Sequence, residues 1–244
     1  MQVDILYEGF PGKSSRGFLG WSSCALIRPN HSKAILFDTA GFNERYSLLS
    51  RLDALQVANE QIGSVFISHF HFDHAVNYPL FENAQFYMHE NEVEHIRMNG
   101  RTDLAVPVEM YQALAESGRL TLLTGSAGEV EGIHWRLTPG HTPGLCSLFF
   151  EYNHEKWVLA SDAIKNRYEL MTEKAAMTWD DGESTKSIQM IKEWADIVVT
   201  GHDGIIKIIR EQTGTMVKAL TNPTVEITLP TDASGKPDIR SLKL

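Results

Sequence analysis

Short apolar runs alternate along the chain with stretches whose apolar residues recur at helical spacing. The runs VDILY, SCALIR, KAILFDT, SVFIS, AQFYMH, LTLLT, IHWRLT, SLFFEY, KWVLAS and DIVVT are rich in β-branched and aromatic residues and predict strands. So many strands in one chain point to two sheets. Between them, Leu48, Leu52 and Leu55 recur at i, i+4, i+7, predicting a helix from Asn43 onward with Asn43 as its cap. NEVEHI predicts another helix start, with Asn91 and Glu94 in capping relation, and Pro107 stands at a first helical position before Met110 and Leu114. Ile188, Ile191 and Ala195 line one face of a late helix. SCALIR and KAILFDT are joined by a short turn, as antiparallel neighbours are. An α/β arrangement of two mixed β-sheets covered by helices satisfies this pattern.

No Pro/Gly/Ser-rich linker, charge block or fixed-period repeat divides the sequence, so residues 1–244 read as a single domain. Lys+Arg 22 against Asp+Glu 31 gives a formal net charge of −9, which repels phosphate backbones and argues against nucleic acid as a partner. The start MQVDILYEGF has no basic segment leading into an apolar stretch, and no apolar run approaches the roughly 18 residues of a membrane span. A cytoplasmic protein without a membrane partner is therefore expected. Cys24 and Cys146 are far apart and are expected as free thiols that pack like small apolar residues. GFPGKSS superficially suggests a phosphate loop, but position 7 is Tyr where G-x-x-x-x-G-K-[ST] needs glycine, so a surface turn is expected there. The expected partner is a small molecule; a homodimer is compatible with the sequence.

The stretch ISHFHFDHAVN, residues 67–77, gathers His69, His71, Asp73 and His74 directly after an apolar run. In extended chain, i and i+2 point the same way, so His69 and His71 can reach one ion together. If the chain then turns into a helix, Asp73 and His74 at its start can face a second ion. Zinc takes four ligands drawn from imidazole, carboxylate or thiolate, so this half-site needs completion. Three later stretches offer candidates, each after a strand: His141 in TPGHTPG, Asp162 in LASDA and His202 in TGHDG. The isolated histidines His31, His89, His95, His134 and His154 are expected as ordinary core or surface residues.

The ordered set H-x-H-x-D-H, P-G-H, S-D-A and G-H-D resembles the metallo-β-lactamase superfamily over nearly the whole chain. The resemblance implies an αββα sandwich of two mixed sheets, in agreement with the strand and helix pattern. It also implies two divalent metal ions, zinc first and manganese or iron as alternatives. His69, His71 and His141 would bind one, Asp73, His74 and His202 the other, and Asp162 would bridge them. Asp38 in LFDTA matches a family acid that orients the ligand turn through hydrogen bonds.

The implied activity is hydrolysis by a hydroxide shared between the metals, with Asp73 steering or shuttling a proton. True β-lactamases of the superfamily typically lack an acid at the bridging position, β-CASP nucleases carry a long insert between the later motifs, and flavodiiron proteins have Glu where this chain has His71. SHFHFDH, TPGHTPG and SDA look most like the N-acyl homoserine lactonases, which points to a carbonyl ester or lactone. Thioester hydrolysis of the glyoxalase II type, phosphodiester cleavage and mono-iron persulfide dioxygenase chemistry are the alternatives. Those lactonases commonly place a tyrosine three residues after the bridging aspartate, where this chain has Lys165; Tyr168 follows and is a candidate catalytic hydroxyl. Leu145 replaces a histidine frequent after HTPG. Trp21, Phe72 and Lys165 are candidate substrate-binding residues. Phe18, Leu19, Phe70, Met171, Met177 and Trp179 are further apolar candidates for the mouth, and Lys165 and Arg167 could hold a substrate anion or be solvated.

Overall fold

The computed structural model describes residues 1–15, 17–18, 21–212, 214–229 and 238–243; Leu19, one of the apolar candidates for the mouth, lies outside them. The chain begins with β1 (Gln2–Tyr7), a small exposed hairpin of β2 (Lys13–Ser14) and β3 (Gly17–Phe18), β4 (Cys24–Arg28), β5 (Ile35–Phe37), α1 (Arg45–Ala54) and β6 (Ser64–Phe66). Next come α2 (Phe72–Ala75), β7 (Gln85–His89), α3 (Glu90–Asn99), α4 (Val108–Glu116) and β8 (Leu120–Leu123). The second half runs through β9 (Ala127–Val130), β10 (Ile133–Leu137), β11 (Cys146–Tyr152), β12 (Glu155–Ser161), α5 (Arg167–Thr172) and α6 (Asp181–Trp194). It ends with β13 (Ile197–Thr200), β14 (Ile205–Glu211), β15 (Gly214–Ala219), β16 (Thr224–Leu229) and β17 (Asp238–Lys243).

Two mixed sheets result, ordered β1-β4-β5-β6-β7-β8 and β15-β14-β13-β12-β11-β10-β9. The alternation of side chains along a strand explains how they stack. From β4, Leu26 joins a core with Leu48 and Leu52 of α1, Val93 and Ile96 of α3 and Leu114 of α4. Its neighbours Ala25 and Ile27 point the other way, into a second core with Trp135, Leu148, Phe150, Leu159 and Val199 of the opposite sheet. In β11, Leu148 and Phe150 face that inter-sheet layer, whereas Phe149 packs outward with Val158, Ile188 and Ile191 beneath α6. Three apolar layers between helix, sheet, sheet and helix make the αββα sandwich.

All ten predicted strands are present, and β4 and β5 pair antiparallel across their short turn. The helix starts shift. Asn43 lies inside a 3-10 turn, Phe42–Glu44, and Glu44 rather than Asn43 serves the entry by accepting from Gly41 N at 2.9 Å. The cap of α3 is His89, whose Nδ1 accepts from Asn91 N, so Asn91 is already inside the helix. Pro107 is the residue before α4, not its first. Of GFPGKSS, Lys13 and Ser14 form the exposed strand β2, while Gly9 and Phe10 are buried. Both cysteines are free and buried. Among the described residues no helix is long and apolar enough to cross a membrane.

Candidate metal centre

Strands β5, β6, β10, β12 and β13 deliver the predicted polar residues to one edge of the sandwich. Asp38 follows β5, the 67–71 segment continues β6 in extended form up to α2, His141 lies between β10 and β11, Asp162 follows β12, and His202 follows β13. Three groups form there, His69 with His71 and His141, His69 with His74 and Asp162, and Asp73 with His74 and His202, each with donor atoms within 4.8 Å of one another.

Every imidazole in the cluster is oriented by a bond on its other nitrogen. His69 Nδ1 lies 3.0 Å from Ser68 Oγ, His74 Nδ1 2.9 Å from Asp38 Oδ2, His141 Nδ1 3.0 Å from the Met177 carbonyl and His202 Nδ1 3.0 Å from the Trp21 carbonyl. In each, Nε2 is left to face the cluster. His71 is reversed: Nε2 lies 3.2 Å from Asp103 Oδ2, and Nδ1 faces inward, 3.1 Å from His141 Nε2.

Asp162 stands between the groups. Its Oδ1 is 3.4 Å from His74 Nε2 and 3.3 Å from His202 Nε2, while Oδ2 is 3.3 Å from His141 Nε2. Asp73 Oδ2 lies 3.4 Å from His202 Nε2 and 3.8 Å from His74 Nε2.

These residues fit divalent cations. Buried polar atoms ordinarily have partners, yet His69 Nε2, His74 Nε2 and Asp162 Oδ1 are buried without a hydrogen bond. With the outward nitrogens of His71 and His141 donating, their inward nitrogens present two lone pairs to each other, an arrangement a shared cation relieves. Burial pushes His69 and His141 well below the ordinary imidazole range, which leaves neutral rings with free lone pairs. At His74 burial acts in the same direction, but the carboxylates of Asp73 and Asp162 outweigh it and raise the ring. For Asp162, burial favours the neutral acid, but His202, His74 and His141 hold the carboxyl well below its usual range. The cluster is organised around positive charge.

Its support is dense. Asp38 is fully buried; its Oδ1 accepts from Ser68 N at 2.8 Å, and its Oδ2 accepts from Ser68 Oγ at 2.8 Å and from Ser161 Oγ at 3.3 Å, besides His74. Asp38 and Ser161 both adopt left-handed backbone, φ +57° and +48°, strain that persists where surrounding bonds over-determine the geometry. Glu92, also fully buried, accepts from Phe70 N at 2.9 Å and Thr142 Oγ1 at 2.6 Å, joining the His69–His71 segment to the His141 loop. Ser68, Ser161, Glu92 and Asp103 were not legible as site residues. Ser68 and Ser161 carry a weak signal, each directly preceding a candidate ligand.

The candidate substrate residues divide. Lys165 has a side chain only 12% exposed; its Nζ is ion-paired with Glu169 Oε1 at 3.3 Å outside hydrogen-bond geometry, and Glu169 also accepts from the backbone N–H groups of Lys165 and Ala176. Arg167 is partly exposed but already paired: it meets Asp203 through Nε and Nη2 and reaches Asn222. Tyr168 is 65% exposed. Trp21 turns its indole to the Glu8 carbonyl and Phe10, so what it gives the cluster is its own carbonyl, on His202. Phe70 is fully buried against Tyr111 and belongs to the core, not the mouth. Phe18, Phe72, Met171, Met177 and Trp179 are exposed. His95, expected as an ordinary residue, is buried but tied to the cluster through Asp103.

The family model of the metallo-beta-lactamase superfamily matches residues 19–203. A Methanocaldococcus jannaschii protein named as a metallo-hydrolase is 26% identical over 84% of this chain and 89% of its own. Metallo-beta-lactamase domain-containing protein 1 of Mus musculus is 29% identical over 85% of this chain and 75% of its own. A Thermotoga maritima structure described as a metallo-beta-lactamase superposes with TM-score 0.69 at 22% identity, covering 84% of this chain and 98% of that one. AidC, a dizinc quorum-quenching lactonase solved with a product, N-hexanoyl-L-homoserine, superposes with TM-score 0.65 at 18% identity over 82% and 79% of the two chains. The last two are likenesses of fold.

Proposed function

The chain belongs to the metallo-β-lactamase superfamily, and on that premise we propose that it is a dinuclear metal-dependent hydrolase of small carbonyl esters, with acyl lactones the first substrates to try. The observation that carries the reading is Asp162, one buried carboxylate whose two oxygens face two different groups of nitrogen donors. His69, His71 and His141 would hold one ion, Asp73, His74 and His202 the other, and Asp162 would join them. Imidazole and carboxylate donors without thiolate suit zinc, manganese or iron. When bound, such a pair supplies hydroxide at neutral pH and polarises a carbonyl oxygen.

The chain's own groups do the remaining work. Asp73 is partly exposed and faces His202, a position from which it can take up the proton released during attack. The Lys165 ammonium is near enough to His141 to lower that ring's basicity, and apart from its ion pair with Glu169 at 3.3 Å it has no acceptor in hydrogen-bond geometry. A carbonyl oxygen that gains negative charge in the transition state provides that acceptor. Lys165 is therefore assigned ahead of the exposed Tyr168 as the oxyanion donor. Met177 and Trp179 lie on the segment that holds His141 by its ring and its carbonyl, so exposed apolar surface adjoins that ring. Phe72 at the start of α2, directly after His71, is also exposed, and an acyl chain would cover side chains of this kind. The lactonase fold of AidC supports the same direction.

The deciding assay offers acyl lactones, thioesters and a phosphodiester to one metal-quantified preparation. Turnover is expected on the lactones. Cleavage of the phosphodiester alone would overturn the carbonyl reading.

A further inference from the structure

The reversed ring of His71 raises a question of its own. A histidine that turns Nδ1 inward sends Nε2 away from its own backbone, so the group that fixes it has to come from elsewhere in the chain. Here it comes from the loop between α3 and α4, 32 residues further on. Asp103 Oδ2 lies 3.2 Å from His71 Nε2 and 3.1 Å from His95 Nε2, and Asp103 Oδ1 accepts from Ala105 N at 3.1 Å. The same loop is tied back to the ligand segment, because Phe72 N donates to the Ala105 carbonyl at 2.9 Å.

All three polar neighbours of Asp103 can act as donors, and a carboxylate, acceptor on both oxygens, is the side chain that suits them. His95 is set for its part: Asn99 Nδ2 lies 3.4 Å from its Nδ1, which places the His95 proton on Nε2, and the Trp179 ring packs edge-on at 4.9 Å. With the acceptor at Nε2, the His71 proton belongs on Nε2 and the lone pair on Nδ1, facing His141.

We infer that Asp103 is a positioning residue that selects the Nε2–H tautomer of His71 and so prepares Nδ1 as a metal donor, with His95 holding Asp103 in place. The inference rests on the reading of His71 as a ligand. Partners of this kind change metal affinity by about 10- to 100-fold in other sites.

Two measurements test it on the full chain. In metal-free protein, nitrogen-15 NMR of the imidazoles should find His71 as the Nε2–H tautomer, and Asp103→Ala should release it into a mixture with the Nδ1–H form. In a chelator competition with zinc, Asp103→Ala should weaken one of two ions by about 10- to 100-fold, leave the other in place, and be partly rescued by Asp103→Asn, which keeps one oxygen acceptor. An unchanged His71 tautomer in Asp103→Ala would overturn the inference. So would equal weakening of both ions in parallel with lost thermal stability, the signature of a loop that is merely structural. Wild-type protein that binds no zinc would count against the metal reading instead, and the tautomer measurement would still decide the role of Asp103.

Discussion

Asp38 Oδ2 and His74 Nδ1 are 2.9 Å apart with both side chains buried, and the same carboxylate accepts two bonds from Ser68, the residue before His69. One acid thus fixes the ring of one candidate ligand and the residue that precedes another. Asp38→Ala would leave Ser68 N, Ser68 Oγ and His74 Nδ1 short of an acceptor in the interior. Loss of stability on the order of 3 kcal/mol is expected, read from urea unfolding of metal-free protein. An unchanged midpoint would mean that the hub carries little of the fold.

Among the described glycines, Gly201 is one whose enlargement strikes the shared carboxylate directly. A Cβ there would sit 2.1 Å from Asp162 Oδ1 and 2.8 Å from the Ser161 carbonyl oxygen. Gly201→Ala should cost roughly 1–3 kcal/mol by overpacking and weaken both ions, since Asp162 faces both groups. Retention of full metal content at limiting metal would contradict the place given to Asp162.

Lys165→Met keeps much of the buried stem and removes the ammonium. Turnover on an acyl lactone should fall by roughly 10²-fold with KM changed far less, the behaviour of a donor that acts on developing charge. Tyr168→Phe should change little, because that side chain is exposed. The reverse ranking of these two variants would transfer the role to Tyr168.

Burial pushes the thiols of Cys24 and Cys146 well above their ordinary value of 9.0, with Asp38 adding to it at Cys24 and Glu92 at Cys146. A raised thiol binds its proton more tightly in the folded state. Its stabilisation is therefore whole below the unfolded value and declines as pH rises past it. Native protein should resist iodoacetamide at about pH 8.5 and react at both cysteines after unfolding. Rapid alkylation of either thiol in folded protein would show that its surroundings open.

Much of this was legible in the sequence because it is local. Strand runs announce themselves by composition, and His69, His71, Asp73 and His74 lie within one turn of chain whose extended-then-helical course fixes their directions. His141, Asp162 and His202 were legible because each follows a strand in a recognisable stretch. Helix starts were misplaced by one or two residues, since His89 and Glu44 supply bonds that a search for Asn or Pro does not anticipate. Asp103 and Glu92 could not be found, because their meaning depends on contacts 32 and 50 residues away, made by the fold and marked by no motif. The carbonyls of Trp21 and Met177 are further from view, since any residue could supply them.

The paired centre is tested most directly by metal content. Protein loaded with zinc, dialysed and subjected to elemental analysis should carry close to two ions per chain, and His141→Ala and His202→Ala should each carry close to one. Wild-type protein retaining no more than trace metal, or a single ion that survives both substitutions, would contradict the account of two donor groups joined by Asp162.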